Sequence, residues 1–469
     1  MSQGIFPYTV QTTDRADAVT ARAGLPLVIE MMRAFGLDKA IAEHVDVRVR
    51  ESGYSEVELI EALVTLMASG GECFDDIDVL KADLGLCRLL GRTLPGADAL
   101  RRFLYTFHDD VLIRTAQQNV APGAIAYIPA ENAALDGLAK VIVKLVHRVA
   151  AQGKCTKATI DHDATIQESH KKEALPHYKG GRGYQPAVAL WVEQDLVIAD
   201  EYRDGNVPAG MSNLPLIQRA FSSLPSAVRT YFFRADSACY EQSVLKWLSN
   251  KNREGGVKGT IGFTISADMT KELRALCVAV PDGNWTHVDD RSDETVACAD
   301  VEFTPGDWPK DAEPLRYIAV RIRKKQGLLF AEGSDTKFLA VVSNRTTIKA
   351  PELLRWHWEK AGTIEHVHDV TKNEIGASVP PCGRFGANAA WYRLSLLTYN
   401  VLSALKSIAL PSALNAARPK RLRFSVFTIA GRIASHAGNL VLHIGHEAER
   451  IAGLIAARVR LAAIVLQTV

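Results

Sequence analysis

At about residue 155 the apolar residues of this chain stop recurring at helical spacing, and a series of short strand-like runs begins. That switch restricts the possible folds more than any other feature. Residues 158–167 predict a first strand. Residues 186–193 and 196–203 predict two more, joined by a tight hairpin at Gln194-Asp195. Three strands with such short connections imply an antiparallel meander. A helix over 214–221, a strand over 228–235, a helix over 240–250 and a strand over 260–266 complete the series.

The order β-β-β-α-β-α-β is that of a ribonuclease-H-like fold, in the α/β class. Residues 267–335 interrupt it. They are rich in turns, with strand-like runs at 278–280, 301–303 and 317–322, and predict a β-rich insertion subdomain. A strand over 338–343 resumes the core, and a helix over 356–372 follows, with Gly362 its weak point. Residues 1–150 read as helical after a polar, extended start. They include helices at 25–34, at 56–69 behind a capping box at Ser55 and Glu58, and at 75–90. From 390 to the end the chain again reads as helical. The expected domains are a helical N-terminal DNA-binding or dimerisation region (1–150), two halves of the core (151–266 and 336–400) flanking the insertion (267–335), and a helical C-terminal region (401–469).

Composition narrows the class. The chain has 469 residues, 47% hydrophobic and 23% charged, with net charge +2, as expected of a soluble globular protein. Its seven cysteines include no Cys-x-x-Cys pair, which argues against structural zinc and a disulfide framework and points to a reducing, cytoplasmic setting. The N-terminus lacks a signal-like apolar core, and the apolar segment 451–469 is broken by Arg458 and Arg460, so no membrane span is expected.

Acidic residues at strand ends carry the chemistry. Asp161 and Asp163 in the first strand are two apart and share a face. Asp236 ends the fourth strand, which this topology places beside the first. Two ionised carboxylates so close repel unless a cation lies between them. Hard oxygen ligands suit Mg²⁺, with Mn²⁺ as a substitute. Glu365, on the helix after the insertion, would complete a set able to hold two ions, the arrangement that activates the attacking oxygen and stabilises the leaving oxygen at a phosphodiester. Each acid has a plainer reading. Asp236 could cap the next helix, Asp161 rivals Asp163, Glu359 and Glu374 rival Glu365, and Glu365 could be a solvated helix residue. His366 and His368 lack the spacing that puts two zinc ligands on one helical face.

Several stretches resemble a known family. Ile160-Asp161-His162-Asp163-Ala164-Thr165, Tyr178 through Pro186, Phe233-Arg234-Ala235-Asp236-Ser237, Gly362-Thr363-Ile364-Glu365 and Gly383 through Trp391 look like the DDE transposases of bacterial insertion sequences, in the branch called insertion sequence family thirteen-eighty. The resemblance implies a metal triad of Asp163, Asp236 and Glu365. It also implies that the protein cuts double-stranded DNA at terminal inverted repeats and joins the freed 3′-OH to target DNA, as a homodimer on DNA and associated with the nucleoid. The superfamily signature Tyr-x2-Arg-x3-Glu-x6-Lys meets Trp358, Ala361, Glu365 and Lys372 here. The arginine is missing, and Lys360 is the nearest substitute for its grip on the DNA backbone.

Other DNA contacts are expected from basic residues: Arg321, Arg323 and Lys325 on one strand face, the run Arg418, Lys420, Arg421 and Arg423, and Arg101 and Arg102 in a helix after a short turn. A solvated charged face, or a plain helical bundle, is the alternative in each case. Trp285, in a turn, could stack on a flipped base or simply pack. A metal-dependent nuclease without strand transfer and a non-catalytic DNA-binding protein remain rival functions. A two-carboxylate glycosidase is disfavoured by the order of the acids on this topology.

Overall fold

The structure is a computed structural model. It describes residues 13–467 apart from 49–52, 121, 311, 326, 328, 332 and 446–447. The expected extended start at residues 1–12 lies outside them. The chain divides into two compact units, one formed by residues 110–130 and 142–369, the other by 1–109, 131–141 and 370–469.

The first unit is built on a mixed nine-stranded sheet. Its strands are β1 (Lys157–Ala164), β2 (Ala187–Trp191), β3 (Leu196–Glu201), β4 (Thr230–Ala235), β5 (Ile261–Ala267), β6 (Thr286–Asp290), β7 (Glu294–Val301), β8 (Arg316–Lys324) and β9 (Thr336–Ser343). Their spatial order is β6-β7-β8-β9-β5-β4-β1-β2-β3, with β1, β4 and β5 parallel and every other pair antiparallel. β1, β2 and β3 form the expected meander, and β1 lies beside β4, as expected of the first and fourth strands.

The central strands read as continuous apolar runs because both their faces are covered. All five residues of β2 are buried. Helices α1 (Asn213–Ser222) and α2 (Gln242–Ser249) follow β3 and β4, and Phe221 of α1 packs on Phe233 of β4 and Trp247 of α2.

The described strands of residues 267–335, expected as an inserted subdomain, do not form a sheet of their own. β9 pairs with β5 from Ala340↔Ala267 to Ser343↔Thr264, so β6 to β9 extend the main sheet. One face of the extension is alternately apolar: Val296, Cys298, Ile318, Val320 and Val341 form a core with Leu353 and Leu354. Those leucines belong to α4 (Ala350–Trp358), after which the chain turns at Glu359 into α5 (Lys360–Glu374). Three expectations are corrected here. Residues 278 and 279 are helical, ending α3 (Lys271–Ala279), where Thr270 caps the first turn through Leu273 N, and Val280 is the extended residue that closes it. The strand expected over 301–303 ends at Val301. The single helix expected over 356–372 is two helices broken at Glu359, and Gly362 lies inside the second.

The second unit gathers the two ends of the chain. Helix Phe385–Ala404 is buried along almost its whole length, as a helix apolar on every side must be. Gly386 is required in it, since a Cβ there would sit 2.2 Å from the Phe107 carbonyl oxygen. The Ser55 capping box forms as expected, with Ser55 Oγ accepting from Glu58 N at 3.2 Å. The helix expected over 75–90 is instead Ile77–Lys81 and Leu84–Leu90, split where Asp83 caps the second by accepting from Leu86 N.

The C-terminal region is not wholly helical. Strands Gly431–His436 and Asn439–Ile444 form a hairpin, with Ala437 and Gly438 both at positive φ (49° and 80°) in the turn. The first strand also pairs with Val19–Thr20. The N- and C-terminal regions expected as separate domains thus fold together.

Candidate active site

In the parallel register of β1 and β4, Asp161 faces Arg234 and His162 faces Ala235, so Asp163 and Asp236 come next, side by side at the C-terminal ends of adjacent strands. That end of a parallel sheet is where α/β folds place their ligands. Burial raises the Asp236 pKa above the usual carboxylate range and the negative charge of Asp163 raises it further, so the two carboxylates sense each other. Asp236 Oδ1 accepts from Ala238 N at 3.1 Å, capping the short turn after β4, so the capping reading holds in part. Asp163 Oδ2 lies 3.1 Å from Nζ of Lys360, a residue 8% exposed. The same ammonium acts on Asp236, holding its pKa below where burial alone would take it.

Asp161, the rival of Asp163, has a different task. It is fully buried and takes Arg234 through two bonds, at 2.7 and 2.9 Å. The Arg234 guanidinium also donates to the Trp356 carbonyl at 2.5 Å, pairs with Glu359 at 3.0 Å and lies 5.1 Å from the centre of the Trp356 ring. Thr363 Oγ1 donates to Asp161 as well. Asp161 and Arg234 therefore lock the end of α4 and the first turn of α5 onto the sheet, which delivers Lys360 to Asp163. His357 anchors α4 through Thr264 Oγ1 (2.9 Å) and Ser266 Oγ (3.1 Å), and burial lowers its pKa to about 3, so it stays neutral.

Glu365 is not brought into this site. Its side chain is exposed, and among the described residues no three His, Cys, Asp or Glu side chains converge to hold a metal ion. The reason is helical phase. Lys360 and Thr363 are three residues apart and share the face of α5 turned toward β1, whereas Glu365 is rotated from Thr363 by about 200°. Neither rival replaces it. Glu359 is held by Arg234, and buried Glu374 takes Arg418 at 2.5 Å and the Lys420 N–H at 2.7 Å.

Many of the basic residues have internal partners. Arg101 pairs with Asp98 at 2.5 Å and stands over the Phe74 ring. Arg321 pairs with Asp282 at 2.6 Å and stacks on Trp285 at 4.4 Å. Trp285 is half-buried against Phe338, and its Nε1 donates to the Val280 carbonyl, so it is a packed aromatic. Lys325 donates to the Arg291 carbonyl at 2.8 Å. Arg423 donates to the Ala68 carbonyl at 3.0 Å, capping helix Glu56–Ser69, and burial lowers its pKa. Lys372 is half-buried, with its carbonyl accepting from Ser378 Oγ. Arg102, Arg323, Lys420 and Arg421 are exposed. The sequence reading missed Arg234 and Thr363. The available signal was Arg234 itself, a charge inside an aromatic strand two residues before Asp236.

The carboxylate pair at the ends of parallel strands, balanced by one buried ammonium, offers the oxygen donors that hard cations prefer. The chain belongs to the family described as transposase DDE domain group 1, whose model matches residues 4–463. It is thus a DDE transposase, one of a family of DNA-cleaving enzymes that generally use divalent metal ions. No curated protein matches the chain. Among solved structures, a cryo-EM structure of the piggyBac transposase synaptic complex with hairpin DNA is similar, with a TM-score of 0.47 and 12% identity over 87% of this chain and 82% of that one. Among the described residues no helix is long and apolar enough to cross a membrane.

Proposed function

We propose that this protein cuts double-stranded DNA at the terminal inverted repeats of a bacterial insertion sequence of the thirteen-eighty family and joins the freed 3′-OH to target DNA. The observation that carries this reading is the adjacency of Asp163 and Asp236 on β1 and β4, with Lys360 against them. In this reading β3-β2-β1-β4-β5 is a ribonuclease-H-like core and β6 to β9 are its insertion. Asp163 and Asp236 are the carboxylates that hold Mg²⁺ or Mn²⁺, and Glu365 is the third ligand once it turns toward them. A pair of bound ions would activate the attacking oxygen and stabilise the leaving one. The protein's own contribution is to hold both carboxylates at fixed spacing on the sheet and to dock α5 through Asp161 and Arg234. Pairing two element ends calls for two copies of the chain on DNA.

The test is an assay of cleavage and joining on duplexes of the element's ends, with Mg²⁺ and with EDTA. Metal-dependent cutting and joining is expected. Cutting without joining would leave a nuclease, and binding without cutting would leave a DNA-binding protein.

Lys360 stands where a cation would be attracted. Lys360→Met is expected to tighten Mn²⁺ binding by on the order of tenfold, because the ion no longer competes with an ammonium for Asp163. It is also expected to lower the melting temperature of the metal-free protein. Electron paramagnetic resonance titration with Mn²⁺ reads the affinity without turnover. Equal affinities in the two proteins would show that Lys360 does not compete for the site.

A further inference from the structure

Between β1 and β2 the chain forms a small sheet that the proposed chemistry leaves unused. Strands Gln167–Glu168, Arg182–Tyr184 and Leu175–Pro176 pair antiparallel in that order, outside the main sheet. It begins four residues after Asp163, so its base is within ~14 Å of chain from that carboxylate.

The tip is rigidly built. His177 N donates to the Gly181 carbonyl at 2.9 Å and Gly180 N to the His177 carbonyl at 3.0 Å, with Gly180 at φ 91°. A Cβ on Gly183 would lie 2.2 Å from the Gln167 carbonyl oxygen, so only glycine allows the strands to close. Arg182 clamps the other side, donating to the Ala174 carbonyl at 2.7 Å and the Lys172 carbonyl at 2.6 Å. On this frame Tyr178 is 73% exposed, with the Lys179 ammonium 5.8 Å from its ring centre. Lys171, Lys172, Lys179 and Arg182 outnumber Glu168 and Glu173, four charges to two, and all but Lys171 of the four cations are exposed.

A lone exposed aromatic ring among cations, on a frame that cannot collapse, suits a nucleobase with its phosphates. It suits an apolar protein surface poorly, because Tyr178 is the one exposed large hydrophobic residue among the described residues of 167–184.

We propose that residues 167–184 form a DNA-contacting finger. Tyr178 stacks on a base of unpaired or distorted DNA beside the cut, and Lys172 and Lys179 take flanking phosphates. This rests on the transposase reading above. The probe is a fork-ended duplex with 2-aminopurine in its unpaired arm, bound to the full-length chain in Ca²⁺ to prevent cutting. Tyr178→Ala is expected to weaken binding by about tenfold and to abolish the quenching of 2-aminopurine, while Tyr178→Trp keeps both. Lys172→Ala with Lys179→Ala is expected to reduce the slope of log affinity against log salt by about two. Melting temperatures should be unchanged, since all three side chains are exposed. Variants that bind and quench like the wild type would overturn the finger alone. A wild-type chain that binds no DNA would overturn the transposase reading with it.

Discussion

Arg234→Met is expected to destabilise the sheet unit by about 3–5 kcal/mol, the loss typical when one partner of a buried ion pair is removed. The guanidinium is 1% exposed, and its main partner Asp161 is fully buried. Burial already raises the Asp161 pKa, and Arg234 is the largest influence opposing that rise. Without the arginine the pKa climbs further and the carboxyl holds a proton in the folded state that it releases on unfolding. A folded-state pKa above the unfolded value means stability that is present at low pH and lost as pH rises through the folded pKa. The defect should therefore be larger at pH 8 than at pH 5. Calorimetric melting of wild type and variant at both pH values checks the magnitude and the sign. Asp161→Leu combined with Arg234→Met should recover much of the loss, because no charge is then left buried alone. A single-variant loss under about 1 kcal/mol would place the pair in solvent instead.

The second large effect is on activity. Asp163→Asn and Asp236→Asn are each expected to lower DNA cleavage by about a thousandfold or more, since a bound metal supplies several kcal/mol of transition-state stabilisation and each 1.36 kcal/mol is tenfold in rate. Both changes keep shape and remove charge. Asparagine caps the turn after β4 as well as aspartate does, so folding should survive. Calorimetry of Mn²⁺ binding separates the two explanations of inactivity: lost binding by a chain that still melts cooperatively marks a ligand, with a lower melting temperature expected for Asp163→Asn because it leaves the Lys360 ammonium without its partner. Glu365→Gln belongs in the same series. Loss of cleavage would mean that α5 turns or rewinds when DNA and metal are present, whereas full activity would leave the site to the two aspartates.

Much of the sheet was legible in the sequence. The strands from β1 to β5 and their helices announced themselves through short apolar runs and turn residues, which are local signals. In residues 267–335 only β8 was legible as a strand: β6 and all but the last residue of β7 were missed, and the end of α3 was taken for a strand because Val278-Ala279-Val280 mimics one when read apart from the Thr270 cap. The C-terminal hairpin was missed because its turn uses Ala437 at positive φ, where a turn-forming asparagine or aspartate would have flagged it. In the site, the position of both aspartates at strand ends was readable. The assignment of Asp161 to Arg234 was not, because that bond joins residues 73 apart.

By itself, then, the sequence determined the strands β1 to β5 with the helices between them and put Asp163 and Asp236 at the ends of neighbouring strands, since side-chain alternation and hydrophobic period act over a few residues. Only the tertiary structure decided that β6 to β9 extend the main sheet, that N-terminal and C-terminal segments belong to one unit, and that Lys360 rather than Glu365 meets Asp163. The last of these hangs on the break at Glu359. Each residue turns a helix by about 100°, so the point where α5 begins, held by Arg234 and Thr363, selects which of its side chains face β1.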